Sequence, residues 1–142
     1  LDSHDTERFL TLAKKNGKDE RSLLCSLAIM FFLPGMPCIY YGTEIGMEGG
    51  YDPDCRRTFD WNRKNWNMRV YATVINLIRL RKCIKGDVTY SAGNGILLIG
   101  RGDLILAVNN GTEKRRTKIL HKEYEIGPFE FIIINIKEGG VL

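Results

Sequence analysis

The sequence predicts an α+β fold in two parts, and three observations support that prediction. Two helical segments occur before residue 85, and a short apolar segment, Pro37–Tyr41, lies between them with the composition of a buried strand. From residue 86 onward, short apolar segments alternate with turn signals, which is typical of antiparallel strands. We therefore divide the chain into residues 1–85 and residues 86–142.

The first helix is predicted over Asp19–Phe32. Asp19 and Glu20 favour a helix start because carboxylates interact well with the positive end of the helix dipole. From Leu23 to Leu33 a single polar residue interrupts the apolar side chains, which predicts a helix buried on most sides. Pro34–Gly35 then ends it.

A second helix is predicted over Trp66–Cys83, with Asn65 as its N-cap. Its apolar residues recur at helical spacing and form one core-facing stripe: Val70, Val74, Leu77 and Ile78, flanked by Tyr71 and Ile75. The loop before it, Gly42–Lys64, is long and rich in Gly, Asp and Arg. Loops of this length inside a compact unit are usually functional.

Six strands are predicted in the second part, separated by turn signals such as Asn94–Gly95 and Asn110–Gly111. The strands are Val88–Tyr90, Ile96–Gly100, Leu104–Val108, Arg116–Leu120, Tyr124–Ile126 and Phe129–Ile136. Their number and spacing predict a meander that forms a small antiparallel sandwich.

Composition excludes several classes of protein. Apolar residues make up 44% and charged residues 27%, the balance of a folded protein rather than a disordered one. The longest apolar run, Leu27–Leu33, is far shorter than the ~20 residues of a membrane span. The net charge of +4 is spread along the chain without a basic stripe, so we expect neither a nucleic acid nor a membrane as partner.

The spacing and surroundings of the cysteines favour a reduced, cytoplasmic protein without a metal motif. The spacing of the cysteines matches no zinc or redox pattern, and Cys25 and Cys38 lie in apolar segments where free thiols are buried. The basic cluster, Lys114 to Lys118, follows a turn signal and is interpreted as a solvated hairpin. The chain starts at Leu1 without Met, so we expect its natural N-terminus upstream.

The first nine residues concentrate ionisable side chains of both signs. One interpretation is a divalent-metal cluster formed by Asp2, His4, Asp5 and Glu7. A second is a sugar site, in which carboxylates accept hydrogen bonds from vicinal hydroxyls and the histidine donates one. A third is a charged surface turn without a chemical role. Spacing alone leaves all three open.

Two further segments carry polar and aromatic residues after an apolar stretch. In Gly35–Met47 a predicted strand leads into a loop with two tyrosines and a glutamate, and ligands bind at such strand ends. In Asp52–Arg57, acids and guanidinium groups share one turn. They either pair with each other or bind a polar ligand, and the sequence does not decide between these.

Taken in order, the segments Ser3–Phe9, Gly35–Met47 and Gly49–Arg57 resemble the C-terminal part of the alpha-amylase family of glycoside hydrolases. They are most similar to the group of neopullulanases, cyclomaltodextrinases and maltogenic amylases. The resemblance implies the last two βα units of a (β/α)8 barrel over residues 1–85, followed by a C-terminal β-sandwich over residues 86–142. A complete barrel needs roughly 250 residues, more than this chain has.

The resemblance also implies a role for each matching residue. Asp5 matches the third catalytic carboxylate, which stabilises the transition state through the 2- and 3-hydroxyls of the glucose at the cleavage point. His4 matches the neighbouring histidine that binds the same sugar. Asp52 and Arg56 match positions that contact the next glucose units on the non-reducing side. The expected partner is therefore an α-glucan.

The family's nucleophile and general acid come from earlier barrel strands, and no segment of this chain matches either. We therefore expect the isolated chain to be inactive and to contain no cofactor, since a calcium site of the family would lie in its N-terminal half. Exposed barrel edges favour self-association. After Arg57 the sequence departs from the group, because Thr58 stands where a proline is usual. The alternative function is a non-catalytic β-sandwich module that is structural or binds glucan.

Overall fold

The computed structural model describes all 142 residues and places every helix before the strands. The helices are α1 Phe9–Lys15, α2 Glu20–Phe32 and α3 Met68–Cys83, and short 3-10 helices occupy Thr43–Ile45, Asp54–Arg56 and Arg63–Asn65. The strands are β1 Val88–Gly93, β2 Ile96–Arg101, β3 Leu104–Asn109, β4 Arg115–Ile119, β5 Lys122–Ile126, β6 Glu130–Asn135 and β7 Gly140–Val141. None of the helices has the length and apolar character that crossing a membrane requires.

Helix α2 confirms the prediction for the apolar segment. The side chain of Asp19 accepts a hydrogen bond from the backbone N–H of Arg21 at 2.9 Å, which caps the first turn. The helix ends at Phe32, and Leu33 is extended because Pro34 follows it. Eight of the 13 residues of α2 are buried, Leu27 completely, so the helix is the centre of the larger hydrophobic core.

Helix α3 begins later than predicted, and Asn67 rather than Asn65 is its N-cap. The Asn67 side chain accepts hydrogen bonds from the backbone N–H groups of Arg69 and Val70, both at 3.1 Å. Asn65 instead ends a 3-10 helix and donates to Asp60. Three residues of the predicted apolar stripe, Val70, Val74 and Leu77, are buried, which confirms that this face of α3 packs against the core.

The segment Pro37–Tyr41 is not a strand in this chain, and that prediction is wrong. A strand needs a neighbour for its N–H and C=O groups, and all seven strands pair among themselves beyond residue 87. Without neighbours on either side the segment is only partly covered, and Cys38 is exposed instead of buried. Cys25 is buried as predicted. Helix α1 was not predicted, because the segment is short and its apolar pattern weak.

The strands form a five-stranded antiparallel sheet, ordered β1-β2-β3-β6-β7, and a two-stranded ribbon, β4-β5. All six predicted strands occur, and β7 adds a two-residue edge. The Asn94–Gly95 turn joins β1 to β2 with both residues at positive φ, as this hairpin signal predicts. The simple meander is wrong at one point, because β3 pairs with β6 and the ribbon branches off between them.

The inner strands of the five-stranded sheet pack against other residues on both faces, whereas its edge strands β1 and β7 are mostly exposed. Leu106 and Ile133 point to the core they share with α2 and α3, whereas Ala107 and Ile134 belong to a second cluster with the ribbon. Because β3 and β6 are buried on both sides, their sequences are continuously apolar instead of alternating. One core therefore contains residues from both parts of the chain.

A buried asparagine anchors the ribbon to the sheet. The two N–H groups of the Asn109 side-chain amide are shared among the carbonyl oxygens of Glu113, Ile126 and Gly127, which lie 2.8, 3.0 and 2.9 Å from Nδ2. Its Oδ1 accepts from the N–H of Gly111 at 2.9 Å. All of its polar atoms are thus used inside the protein, which fixes the turn after β3.

Two arginines bind backbone carbonyls at the C-terminal end of α2 and connect this helix to α3 and to the five-stranded sheet. The Arg81 Nη1 of α3 donates to the carbonyl of Phe31 at 2.9 Å, and the Arg101 Nη1 of β2 donates to that of Leu33 at 3.0 Å. These carbonyls have no partner within the helix, and cations favour the negative end of its dipole. The contacts hold the sheet against the helical part.

Candidate functional site

Arg8 joins the three polar segments that the sequence singles out. Its side chain is fully buried, with Nε donating to the carbonyl of Cys55 at 3.0 Å and Nη1 donating to that of Tyr41 at 2.7 Å. The guanidinium carbon lies 4.4 Å from the ring centroid of Tyr40, a cation–π contact, and Nη2 has no hydrogen-bond partner. The Arg8 N–H donates to the carbonyl of Gly49 at 2.9 Å. One residue thus positions both later segments against the first.

Asp2 is the second buried anchor. Its Oδ1 accepts from the N–H of Phe9 at 2.7 Å, at the start of α1, and its Oδ2 accepts from the Thr43 hydroxyl at 2.6 Å. The Arg8 Nη1 lies 3.9 Å from the same carboxylate. Asp2 therefore points into the protein, and its exposed side-chain fraction is only 3%.

The divalent-metal interpretation of the first segment is wrong. Asp2 points inward, Glu7 pairs with Lys15 of α1, and His4 and Asp5 point outward. No group of three or more metal-ligating His, Cys, Asp or Glu side chains occurs in the structure.

His4 and Asp5 are exposed and close together. The His4 Nε2 lies 3.2 Å from the Asp5 Oδ2, with exposed side-chain fractions of 66% and 69%. The turn that presents them is fixed by Ser3, whose hydroxyl accepts from the Asp5 N–H at 3.2 Å and pairs with the Thr6 hydroxyl at 3.0 Å. An imidazole and a carboxylate are therefore accessible on one rigid turn.

Arg56 brings the third segment to these residues. Its Nε donates to the His4 carbonyl at 3.1 Å and lies 2.7 Å from the Asp52 Oδ1. The Cys55 thiol also contacts the His4 carbonyl, at 3.4 Å. Arg56 and Asp52 are about half exposed, so their pairing leaves polar atoms accessible. The four predicted site residues, His4, Asp5, Asp52 and Arg56, thus belong to one connected surface.

A second ion pair stiffens the same loop. Arg57 binds the Asp54 carboxylate through Nε at 2.6 Å and Nη2 at 2.9 Å. The other contact of that carboxylate is the Gly50 N–H, at 2.6 Å. The Arg57 guanidinium, and then the Gly50 N–H, hold the pKa of Asp54 below its usual value. The Tyr41 hydroxyl donates to the Arg57 carbonyl at 2.9 Å, which fastens the loop to the second segment.

The surface carries groups that suit a neutral, hydroxyl-rich ligand. A carboxylate accepts hydrogen bonds from two adjacent hydroxyls, and imidazole and guanidinium groups donate to them. The sequence does not predict that Arg8 and Asp2 are buried anchors, because ionisable side chains are usually exposed. The one available signal for Asp2 is that an acid upstream of a helix can cap it. The apolar pattern of α1 is too weak to predict that helix from the sequence.

Comparison with known proteins identifies the family. The sequence profile described as alpha amylase, catalytic domain, matches residues 1–93. The chain belongs to the alpha-amylase family. The three segments that Arg8 connects all lie inside the matched range.

Individual relatives agree with this assignment. A cyclomaltodextrinase of Thermoanaerobacter pseudethanolicus is 37% identical over 131 residues, covering 86% of this chain and 22% of the relative. Neopullulanase 2 of Thermoactinomyces vulgaris is 51% identical over 81 residues, covering 57% of this chain and 13% of the relative. The crystal structure of a maltogenic amylase from S. marinus superposes with a TM-score of 0.85 at 30% identity, over 96% of this chain and 22% of that one.

These relatives are glycoside hydrolases, which confirms the predicted family and enzyme class. This alpha-amylase-family chain spans 22%, 13% and 22% of the lengths of these three relatives. The roles of the individual site residues stay predictions.

Proposed function

We propose that this chain supplies one side of the substrate site of a retaining α-glucan hydrolase. The observation that carries the proposal is the position of Arg56, whose Nε contacts both the His4 carbonyl and the Asp52 carboxylate. Asp52 and Arg56, the proposed outer sugar-binding pair, therefore lie beside the turn that presents Asp5. The substrate would be a cyclodextrin, pullulan, starch or a maltooligosaccharide, cleaved at its α-1,4 bonds, and hydrolysis of panose tests whether α-1,6 bonds are also cleaved.

In this proposal Asp5 stabilises the transition state. Its exposed carboxylate accepts hydrogen bonds from the 2- and 3-hydroxyls of the glucose at the cleavage point. As the ring flattens toward an oxocarbenium ion, those hydroxyls become more acidic and the bonds strengthen, which favours the transition state over the bound substrate. His4 donates to the same sugar, while Asp52 and Arg56 hold the next glucose units.

We propose that residues 1–85 correspond to the last two βα units of the family's barrel, with α2 and α3 as its final helices and with Pro37–Tyr41, which has no strand neighbour in this chain, at the position of a barrel strand. Residues 86–142 would form the C-terminal β-sandwich. The superposition over nearly the whole chain supports this division, as does the profile match, which ends at residue 93.

The four free cysteines support a cytoplasmic location. Unpaired barrel edges would favour self-association, which analytical ultracentrifugation tests.

Cleavage with retention needs a nucleophile and a general acid about 5–5.5 Å apart. We propose that both come from other segments, so the 142-residue chain binds glucan without cleaving it. Isothermal titration with maltotriose should show binding that weakens at least fivefold in Asp5→Asn and is unchanged in Asp87→Asn, an exposed acid in the second part. Turnover of a nitrophenyl maltoside that is lost in Asp5→Asn would contradict the proposed inactivity.

A further inference from the structure

The loop that follows Arg57 presents an indole ring beside a cleft. The Trp61 side chain is 82% exposed, and the cleft next to it has a volume of about 710 Å³. Single exposed apolar residues are common and need no function. Trp61 differs because its ring is held in place and because polar groups line the cleft beside it.

An aromatic stack fixes the ring from below. The Phe59 ring packs edge-on against Trp61 with centroids 4.7 Å apart, and against Trp66 with centroids 5.9 Å apart. Trp66 in turn contacts Tyr71 of α3 at 5.2 Å. The exposed indole is therefore the outermost member of a stack that is anchored on a helix.

The turn that carries Trp61 is also fixed by hydrogen bonds at Asp60. The Asp60 carboxylate accepts from the Asn65 amide and from the Asn62 N–H, each at 2.8 Å, and its carbonyl accepts from the Trp66 Nε1 at 2.7 Å. A platform that is ordered before the ligand arrives loses little conformational entropy on binding.

Three charged side chains line the cleft: Arg57 and Glu48, which are paired with opposite charges, and Asp60, whose carboxylate accepts only from the neutral Asn62 N–H and Asn65 amide. Arg57 is paired with Asp54, and Glu48 is paired with Lys14 at 2.6 Å. Such groups still donate to and accept from hydroxyls. The combination of a flat apolar ring and hydrogen-bonding polar edges suits a pyranose, which has an apolar C–H face and a rim of hydroxyls.

We propose that Trp61 and this cleft form an outer glucan-binding position, on which a glucose ring stacks beyond the units held by Arg56. Arg57 lines the cleft and directly follows Arg56, so the two positions adjoin along the loop. This inference rests on the proposed function, because it extends the same glucan chain outward. It predicts that longer maltooligosaccharides bind more tightly than short ones.

The test measures Kd for maltotriose and maltohexaose by isothermal titration, with indole fluorescence as a second readout. Trp61→Ala should weaken maltohexaose binding about tenfold, the value of one good aromatic contact, and leave maltotriose within about twofold. Trp61→Phe should recover most of the loss. Tyr90→Ala, which removes an exposed aromatic ring from β1, is the matched control and should change neither Kd.

Unchanged maltohexaose affinity in Trp61→Ala would overturn the inference, and so would the absence of any fluorescence change in the wild-type chain. If Asp5→Asn abolishes binding while Trp61→Ala does not, the proposed function stands and this inference fails. If maltohexaose affinity depends on Trp61 but not on Asp5, the stacking position stands and the proposed function fails.

Discussion

Replacing Arg8 by Met should remove a large share of the stability of this chain. Met preserves the apolar stem but removes two charged hydrogen bonds, to the carbonyls of Tyr41 and Cys55. Hydrogen bonds to charged groups contribute ~1.5–3 kcal/mol each. The change also leaves the buried Asp2 carboxylate without its cation, and breaking a buried ion pair costs ~3–5 kcal/mol. Because these terms overlap, we expect a loss of about 3–5 kcal/mol.

Urea unfolding followed by tryptophan fluorescence and circular dichroism measures this loss. A domain of this size is stable by about 5–15 kcal/mol, so the midpoint should shift clearly. Arg115→Met is the matched control, since Arg115 is exposed and paired only with Glu113, and should stay within about 0.5 kcal/mol. A loss below about 1 kcal/mol in Arg8→Met would refute the assignment of Arg8 as the central anchor.

Three further predictions concern other parts of the molecule. Asn109→Ala should destabilise the chain by about 2–4 kcal/mol in the same urea assay, whereas exposed Asn110→Ala should change little; equal effects would contradict the anchoring role. Burial raises the pKa of Cys25 to about 12, so at pH 8 a thiol reagent should label the two exposed cysteines and reach Cys25 only after unfolding. Because the folded pKa of Asp54 lies below its ordinary 3.8, its stabilising contribution is present above that pH and is lost on further acidification. The melting temperature should therefore fall less steeply in acid for Arg57→Gln than for the wild type, and parallel curves would contradict the ion pair.

Secondary-structure elements that are determined by neighbouring residues could be predicted from the sequence. Helix α2 and the stripe of α3 follow from apolar spacing, and the β1-β2 hairpin follows from the Asn94–Gly95 turn. The predicted strand Pro37–Tyr41 failed because strand formation depends on a neighbour, which sequence composition does not supply. The pairing of β3 with β6 is likewise long-range, and no turn signal encodes it.

The exposed residues of the candidate site could be named from the sequence, whereas the buried residues that support them could not. His4, Asp5, Asp52 and Arg56 were identified by resemblance, and the contact of Arg56 with His4 brings their segments together. The scaffold behind them, centred on Arg8, could not be inferred, because an arginine is rarely buried and its partners here are backbone carbonyls. Carbonyls are present at every residue, so no sequence pattern marks the ones that Arg8 contacts.

The most direct test of the central claim is a titration of the isotope-labelled chain with maltohexaose, followed by backbone amide NMR. If the chain carries one side of a glucan site, shifts should cluster on the turn around His4 and Asp5 and on the loop around Asp52 and Arg56, and Asp5→Asn should remove them. Shifts confined to residues 86–142 would contradict the account and favour the alternative of a glucan-binding β-module. The absence of any shift at millimolar sugar would contradict both.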